Sequence, residues 1–227
     1  MCVDDARIRE LNDRDVRSGD YVLYWMQQSQ RAEDNPALEF AAARANAAGC
    51  PLVAAFGLTD GYPEANLRHY RFMLEGLAET REALARRGIR LVLRRGDPPA
   101  VALGLADKAA AVVCDAGYTR HQRAWRREVA DQAPCRVFQV EGDVVVPVGV
   151  VSDKAEFAAR TIRPRLQKHL EYYLHPLPQQ RLKYPSLEMD LEGLDPADID
   201  GLLAELKVDR RVPPVSGFFK GGPAEAR

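Results

Sequence analysis

The chain has 227 residues, 46% hydrophobic and 29% charged, which is enough apolar material for a packed core and too much for a disordered segment. Lys and Arg total 32 against 33 Asp and Glu, a formal net charge of −1, so a whole-chain polycation that grips nucleic acid by charge alone is excluded. No apolar run approaches the roughly 18 residues of a membrane span, and Met1 to Arg17 has no apolar centre of a secretory signal, so a cytoplasmic protein with no membrane contact is expected.

Residues 20–150 alternate between two periods. Tyr21-Val22-Leu23-Tyr24-Trp25-Met26 is a continuous apolar run, as expected for a strand buried on both faces. Asn35-Pro36 opens a helix, because Asn caps and Pro tolerates the first helical position, and Gly49 closes it. Pro51 to Phe56 is a second strand. Leu67, Tyr70, Leu74, Leu77 and Leu84 mark one face of a long amphipathic helix that ends at Gly88. Ile89 to Leu93 is a third strand, Asp97-Pro98 caps a helix, and Ala111 to Cys114 is a fourth strand. Thr119 to Asp131 is a helix with Trp125 and Val129 on one face, and Arg136 to Val140 is the fifth strand.

Strands alternating with helices imply βαβ crossovers, so the expected fold is α/β: a Rossmann-like, doubly wound, five-stranded and mainly parallel sheet with helices on both faces. In such sheets ligands sit outside the carboxyl ends of the strands. After about residue 150 the pattern changes. A charged helix is expected from Ser152 toward Leu174, kinked or interrupted by Pro164. Residues 175–195 read as linker, and Asp195-Pro196 caps a short helix ending near Leu206. The predicted division is an α/β domain over 1–150 and a helical or irregular linker over 151–227.

Familiar nucleotide motifs are missing. Met26-Gln27-Gln28-Ser29-Gln30 stands where a GxGxxG would follow the first strand, and no GxxxxGK[ST] occurs. Cys2, Cys50, Cys114 and Cys135 show no CxxC spacing and read as reduced thiols rather than zinc ligands. His69, His121, His169 and His175 form no HExxH or i, i+4 pair and read as surface or satisfied histidines. The loop Gln27 to Arg31, and Asp60 and Asp115 at strand ends, lie where a ligand would sit, although aspartates there also serve as helix caps. Arg120, Arg123, Arg126 and Arg127, and then Arg160, Arg163, Arg165 and Lys168, are two basic clusters that read as solvated helix faces or as phosphate contacts. Aromatics are 7% of the chain, too few to indicate a stacking platform for single strands.

Longer strings carry a resemblance. Tyr24-Trp25-Met26-Gln27-Gln28-Ser29-Gln30-Arg31 with Asn35-Pro36-Ala37-Leu38 resembles the opening of class II DNA photolyases. So does Phe56-Gly57-Leu58-Thr59-Asp60 continuing into Tyr62-Pro63-Glu64-Ala65-Asn66-Leu67-Arg68-His69-Tyr70, and so does Val151-Ser152-Asp153-Lys154 with Ala159-Arg160-Thr161-Ile162-Arg163-Pro164. The chain departs from the family's pattern at three places. Glu141-Gly142-Asp143-Val144 replaces Asp-Ala-His-Asn, Tyr118-Thr119-Arg120 replaces Pro-Leu-Arg, and no tryptophan stands near Gly149.

The resemblance implies light-driven repair of pyrimidine dimers, by deoxyribodipyrimidine photo-lyase activity, in a full-length protein. Reduced FAD and damaged DNA would be held there by a C-terminal helical domain. This chain is expected to be the N-terminal antenna domain and linker, ending before the FAD-binding domain and inactive in repair by itself. The antenna implied is an 8-hydroxy-5-deazaflavin-type chromophore. Trp25, Met26 and Phe56 are the candidate apolar walls, and Gln27, Arg31, Asp60, Asp115, Glu141 and Lys154 the candidate polar contacts. The competing expectations are a stand-alone α/β domain for a nucleotide-like ligand and a cryptochrome-like photosensory protein.

Overall fold

A computed structural model describes Val3 to Ala226. After a single 3-10 turn at Asp5–Arg7 the elements run β1 (Ile8–Glu10), β2 (Tyr21–Trp25), α1 (Pro36–Ala48), β3 (Leu52–Leu58), α2 (Leu67–Arg86), β4 (Arg90–Arg95) and α3 (Pro98–Ala106). They continue as β5 (Ala109–Asp115), α4 (Arg120–Gln132), β6 (Arg136–Val140), α5 (Val148–Val151), α6 (Ala159–Tyr173) and α7 (Ile199–Glu205). The sheet order is β1-β6-β5-β2-β3-β4. Every pairing from β6 to β4 is parallel, and β1 adds an antiparallel edge with Ile8 opposite Val140. The fold is thus the α/β sheet expected from the sequence, with a sixth strand added. Its three residues, a half-buried Ile8 and an exposed Arg9 and Glu10, carry no apolar alternation, which is why β1 leaves no mark in the sequence.

β2, β3 and β5 are buried along their whole length, and the pleat divides them between two cores. Val22, Tyr24, Met26, Leu52, Ala54 and Phe56 face one core, which α1 and α2 cover with Leu38, Leu74 and Leu77. Tyr21, Leu23, Trp25, Val53, Val112 and Cys114 face the other, covered by α3 and α4 through Ala102, Leu105 and Val129. Gly57 permits the close approach of α3: a Cβ there would sit 2.8 Å from Pro98 Cα. Asn35 caps α1 through Leu38 N–H, Pro36 follows it, and Gly49 closes the helix in the left-handed region at φ 68°. Gly88, at φ 79°, follows α2 in the same way.

The chain returns to the sheet after residue 175. Ser186 Oγ donates to Leu52 O at 2.6 Å and accepts from Arg90 N at 2.8 Å, and Leu194 N donates to Leu93 O at 2.7 Å. Leu202, Leu203 and Leu206 join the α1–α2 core. Two helix starts differ from expectation. The α6 helix begins at Ala159, because the Ser152 hydroxyl accepts from Lys154 N and donates to Glu156, closing a turn where a helix start was expected. Pro164 lies inside α6 without ending it. The N-cap of α7 is Asp198, since the Asp195 side chain is spent on Ala197 N. Cys50, Cys114 and Cys135 are free and buried, with burial pushing the Cys114 thiol up to about 12, and Cys2 lies outside the described residues.

Candidate functional site

The chain runs outward from β2 to β3 and β4, then crosses to β5 and β6 on the other side. Neighbouring loops diverge at that crossover and leave a crevice at the strand tips. A cavity of about 450 Å³ lies there. Trp25, Met26 and Gln27 enter it from β2, and Phe56, Gly57 and Thr59 from the end of β3. Tyr62, Tyr70 and Met73, Pro98 at the start of α3, and Gln122 and Trp125 on α4 complete the wall. Tyr62, His121 and Trp125 pack edge to face, with Tyr62–His121 centroids 4.7 Å apart and His121–Trp125 centroids 5.1 Å apart.

Asp115, at the tip of β5, shapes this cavity from behind. One carboxylate oxygen accepts from three successive amides, Gln27 N at 3.1 Å, Gln28 N at 2.8 Å and Ser29 N at 2.9 Å. The other accepts from the Tyr24 hydroxyl at 2.8 Å, which in turn accepts from Asn35 Nδ2 at 2.9 Å. Burial pushes the Asp115 carboxyl up, against the pull of the Gln28 and Ser29 amides. Burial and then the Asp115 charge push the Tyr24 phenol well above its ordinary value.

Amide side chains form the polar wall. Arg126 donates from Nη1 to Gln27 Oε1 at 3.3 Å and from Nε to Gln139 Oε1 at 3.0 Å. Thr119 donates from its hydroxyl at 2.7 Å and its N–H at 3.3 Å to Gln122 Oε1, and Gln122 Nε2 donates to Gln28 Oε1. Arg126 is buried, so the basic cluster of α4 is not uniformly a solvated face; its side chain turns inward to reach β6, while Arg120, Arg123 and Arg127 are exposed. Burial pulls the Arg126 guanidinium below its ordinary value. Arg160, Arg163, Arg165 and Lys168 are exposed along α6.

Of the nine candidate site residues, Trp25, Met26, Gln27 and Phe56 line the cavity. Asp115 lies behind it. Arg31 ties the next loop, donating to Asp34 O at 3.1 Å and Gly142 O at 3.1 Å and pairing with Asp143 at 3.5 Å. Asp60 pairs with Arg95 at 3.1 Å and accepts Lys207 N at 3.2 Å, and these two contacts hold its carboxyl below its ordinary value. Glu141 accepts the Tyr118 hydroxyl at 2.6 Å and Val148 N at 2.9 Å. Lys154 is exposed beside the Ser152 turn. The sequence reading missed Tyr62, Tyr70, Met73, Pro98, Gln122 and Trp125 as wall residues. The spacing of Gln122 and Trp125, three apart in the first turns of a helix that starts at a strand tip, was the available signal. Among the described residues there is no cluster of three or more His, Cys, Asp or Glu that could hold a metal, and no helix long and apolar enough to cross a membrane.

A protein-family model described as DNA photolyase matches residues 22–183. The deoxyribodipyrimidine photo-lyase of Methanothermobacter thermautotrophicus is 47% identical over 186 residues, which is 81% of this chain and 42% of that protein. The enzyme of the same name from Potorous tridactylus is 34% identical over 206 residues, 89% of this chain and 38% of that protein. The chain therefore spans about two fifths of the length of these relatives. Among solved structures, a bacterial class III photolyase from Agrobacterium tumefaciens superposes with a TM-score of 0.65 at 18% identity, covering 92% of this chain and 43% of the other. A Synechocystis cryptochrome superposes with a TM-score of 0.60 at 17% identity, covering 78% and 40%. These two likenesses establish the fold.

Proposed function

The chain belongs to the DNA photolyase family, and on that premise we propose that it is the N-terminal light-harvesting domain of a class II cyclobutane pyrimidine dimer photolyase. The cavity of about 450 Å³ at the strand crossover carries this reading. Its volume falls within the range of small-molecule sites, and its wall pairs aromatic and apolar surface with a few oriented amides, as a flat, partly polar ring requires. An 8-hydroxy-5-deazaflavin-type chromophore fits that lining. When bound it would supply light absorption and transfer of the excitation.

Trp25, Met26 and Phe56 form the apolar floor, Trp125 and Tyr62 the far wall, and Gln27 the polar edge. Asp115 holds the Gln27–Ser29 backbone in place, and Arg31, Asp60 and Glu141 brace the loops of the rim. Lys154 is exposed on the segment after α5 and lines none of this cavity. Residues 1–150 form the chromophore domain, and 151–227 lead to a C-terminal helical domain that binds FAD and, through it, damaged DNA. The class II assignment draws on the long strings of the family pattern from Tyr24 to Arg31 and from Phe56 to Tyr70. The three buried, unpaired thiols suit a reducing, cytoplasmic compartment.

Two measurements test the reading. Fluorescence titration with 8-hydroxy-5-deazaflavin is expected to show saturable, one-to-one binding, and Phe56→Ala is expected to weaken it. Absence of binding, both by this chain and by a protein carrying the helical domain, rejects the chromophore site. A blue-light dimer-reversal assay on the chain alone, with FAD added, is expected to show no turnover; clear turnover would refute the assignment of repair to a further domain.

A further inference from the structure

We propose that Arg126 and the Thr119 amide fix the polarity of a glutamine wall in the cavity, so that the site selects a ring edge built of carbonyl acceptors. The inference rests on the reading of this cavity as a chromophore site and adds what sets its selectivity.

A guanidinium carries N–H donors and no acceptor. Arg126 is 8% exposed, and its Nη1 lies 3.3 Å from Gln27 Oε1 while its Nε lies 3.0 Å from Gln139 Oε1. The Gln27 side chain must therefore turn its oxygen to Arg126. Its nitrogen donates one N–H to the Gln122 backbone carbonyl at 3.4 Å, which holds the same orientation and leaves the second N–H.

A second branch reaches the same result. The Thr119 backbone N–H, also a pure donor, points to Gln122 Oε1 at 3.3 Å. That fixes the oxygen of Gln122 at the start of α4 and leaves its nitrogen to donate to Gln28 Oε1. Gln28 then has its oxygen occupied and its nitrogen free. Gln27, Gln28 and Gln122 all line the cavity.

Gln28 thus offers its amide N–H groups and Gln27 its second N–H, with both oxygens turned away. Neither can reverse cheaply, because reversal would set an NH2 against a guanidinium or against another NH2. Such a wall matches a pyrimidinedione edge, the carbonyl–N–H–carbonyl pattern that flavins and deazaflavins share. A ring with an amino group in place of one carbonyl would place donor against donor, and a mismatch of that kind costs about tenfold or more in affinity. Arg126 acts here as a positioning residue, since it works through Gln27.

The test compares two matched probes by fluorescence titration: 8-hydroxy-5-deazaflavin and the same ring with an amino group replacing the C2 carbonyl. The unaltered chain should prefer the carbonyl ring about tenfold. Gln27→Glu keeps an oxygen for Arg126 and removes the N–H donor, so the preference should fall, with the remainder carried by Gln28. Arg126→Met removes one of the two contacts that orient Gln27 and should lower the ratio as well, with Arg126→Lys restoring part of it. Melting curves identify any variant that fails to fold. If Arg126→Met unfolds, Gln27→Glu decides the question alone. A preference undiminished in Gln27→Glu overturns the relay. Equal binding of both rings by the unaltered chain overturns the relay and leaves the site reading intact. Binding of neither ring, by this chain or by a protein carrying the helical domain, removes both.

Discussion

Replacing Asp115 with alanine should cost about 3–5 kcal/mol of folding stability. The carboxylate is 2% exposed and accepts four hydrogen bonds, three from the Gln27, Gln28 and Ser29 amides and one from the Tyr24 hydroxyl. Gln28 is exposed and Gln27 half-buried, so water can replace the carboxylate there at the loss of about 1 kcal/mol each. Ser29 is buried, and its stranded N–H costs about 1–3 kcal/mol. Tyr24 keeps an outlet, since its hydroxyl lies 3.3 Å from Ser29 O. Asp115→Asn should cost less, about 1–2 kcal/mol, because its oxygen can face the three amides while its NH2 donates to a turned Tyr24 hydroxyl. The sign with pH follows from burial, which raises the Asp115 carboxyl above its ordinary value of 3.8. The folded state then binds the proton more tightly than the unfolded one, so this group's contribution is fully present below that value and is lost as pH rises through the raised one. Asparagine does not titrate. The gap in stability between the unaltered chain and Asp115→Asn should therefore be widest in acid and narrow as pH rises. Urea denaturation followed by circular dichroism, from about pH 3.5 to 7.5, measures both effects. An Asp115→Ala chain within about 1 kcal/mol of the unaltered one would refute the account, as would a gap that widens with pH.

Arg87→Met should cost about 3–5 kcal/mol in the same assay, because it removes the cation 2.8 Å from the buried Glu39 carboxylate, and adding Glu39→Gln should recover part of that loss. Gly221→Ala should release the C-terminal segment from α2, since a Cβ there would sit 1.8 Å from Phe72 O while the Gly221 amide is held by Glu75. Limited proteolysis should then cut near residues 216–222 with the sheet core left intact, and an unchanged cleavage pattern would count against the contact. The lowered Asp60 carboxyl predicts the opposite pH sign to Asp115: its tie to Lys207 N is present above the ordinary 3.8 and lost as pH falls through the lowered value. The Lys207 amide resonance in NMR should report that titration, and Asp60→Asn should flatten it.

The parts of the fold that the sequence made visible are those decided within a few residues. Tyr21–Trp25, Leu52–Leu58 and Ala109–Asp115 are continuous apolar runs because both faces of each strand are covered. Asn35-Pro36 and Gly49 are local devices, and they bound α1 where local chemistry says they should. What stayed hidden depends on partners far along the chain. Asp115 looks like a helix cap in the sequence, but its partners lie 86 to 91 positions earlier, and they are backbone amides and a tyrosine. Arg126 looks like one more member of a basic run, and its inward turn is set by Gln27 and Gln139 on two separate strands' ends. Trp125 shows its apolar periodicity plainly, yet periodicity cannot distinguish a core contact from a cavity wall at the end of that core.

Acidic residues tie the rim loops of the cavity to one another. Asp143 accepts the Ser29 hydroxyl at 2.7 Å and pairs with Arg31, while Glu141 accepts the Tyr118 hydroxyl and the Val148 amide. The loops after β2, β5 and β6 are thereby tied to one another by acidic groups. A cationic residue at 143 could not accept from Ser29 and Arg31, and a proline at 118 would leave Glu141 without its phenol. Because Arg31 and Ser29 belong to the same loop whose amides Asp115 holds, Asp143 and the buried carboxylate hold that loop from two sides. The backbone that carries Gln27 and Gln28 into the cavity is thus held by residues that do not line it.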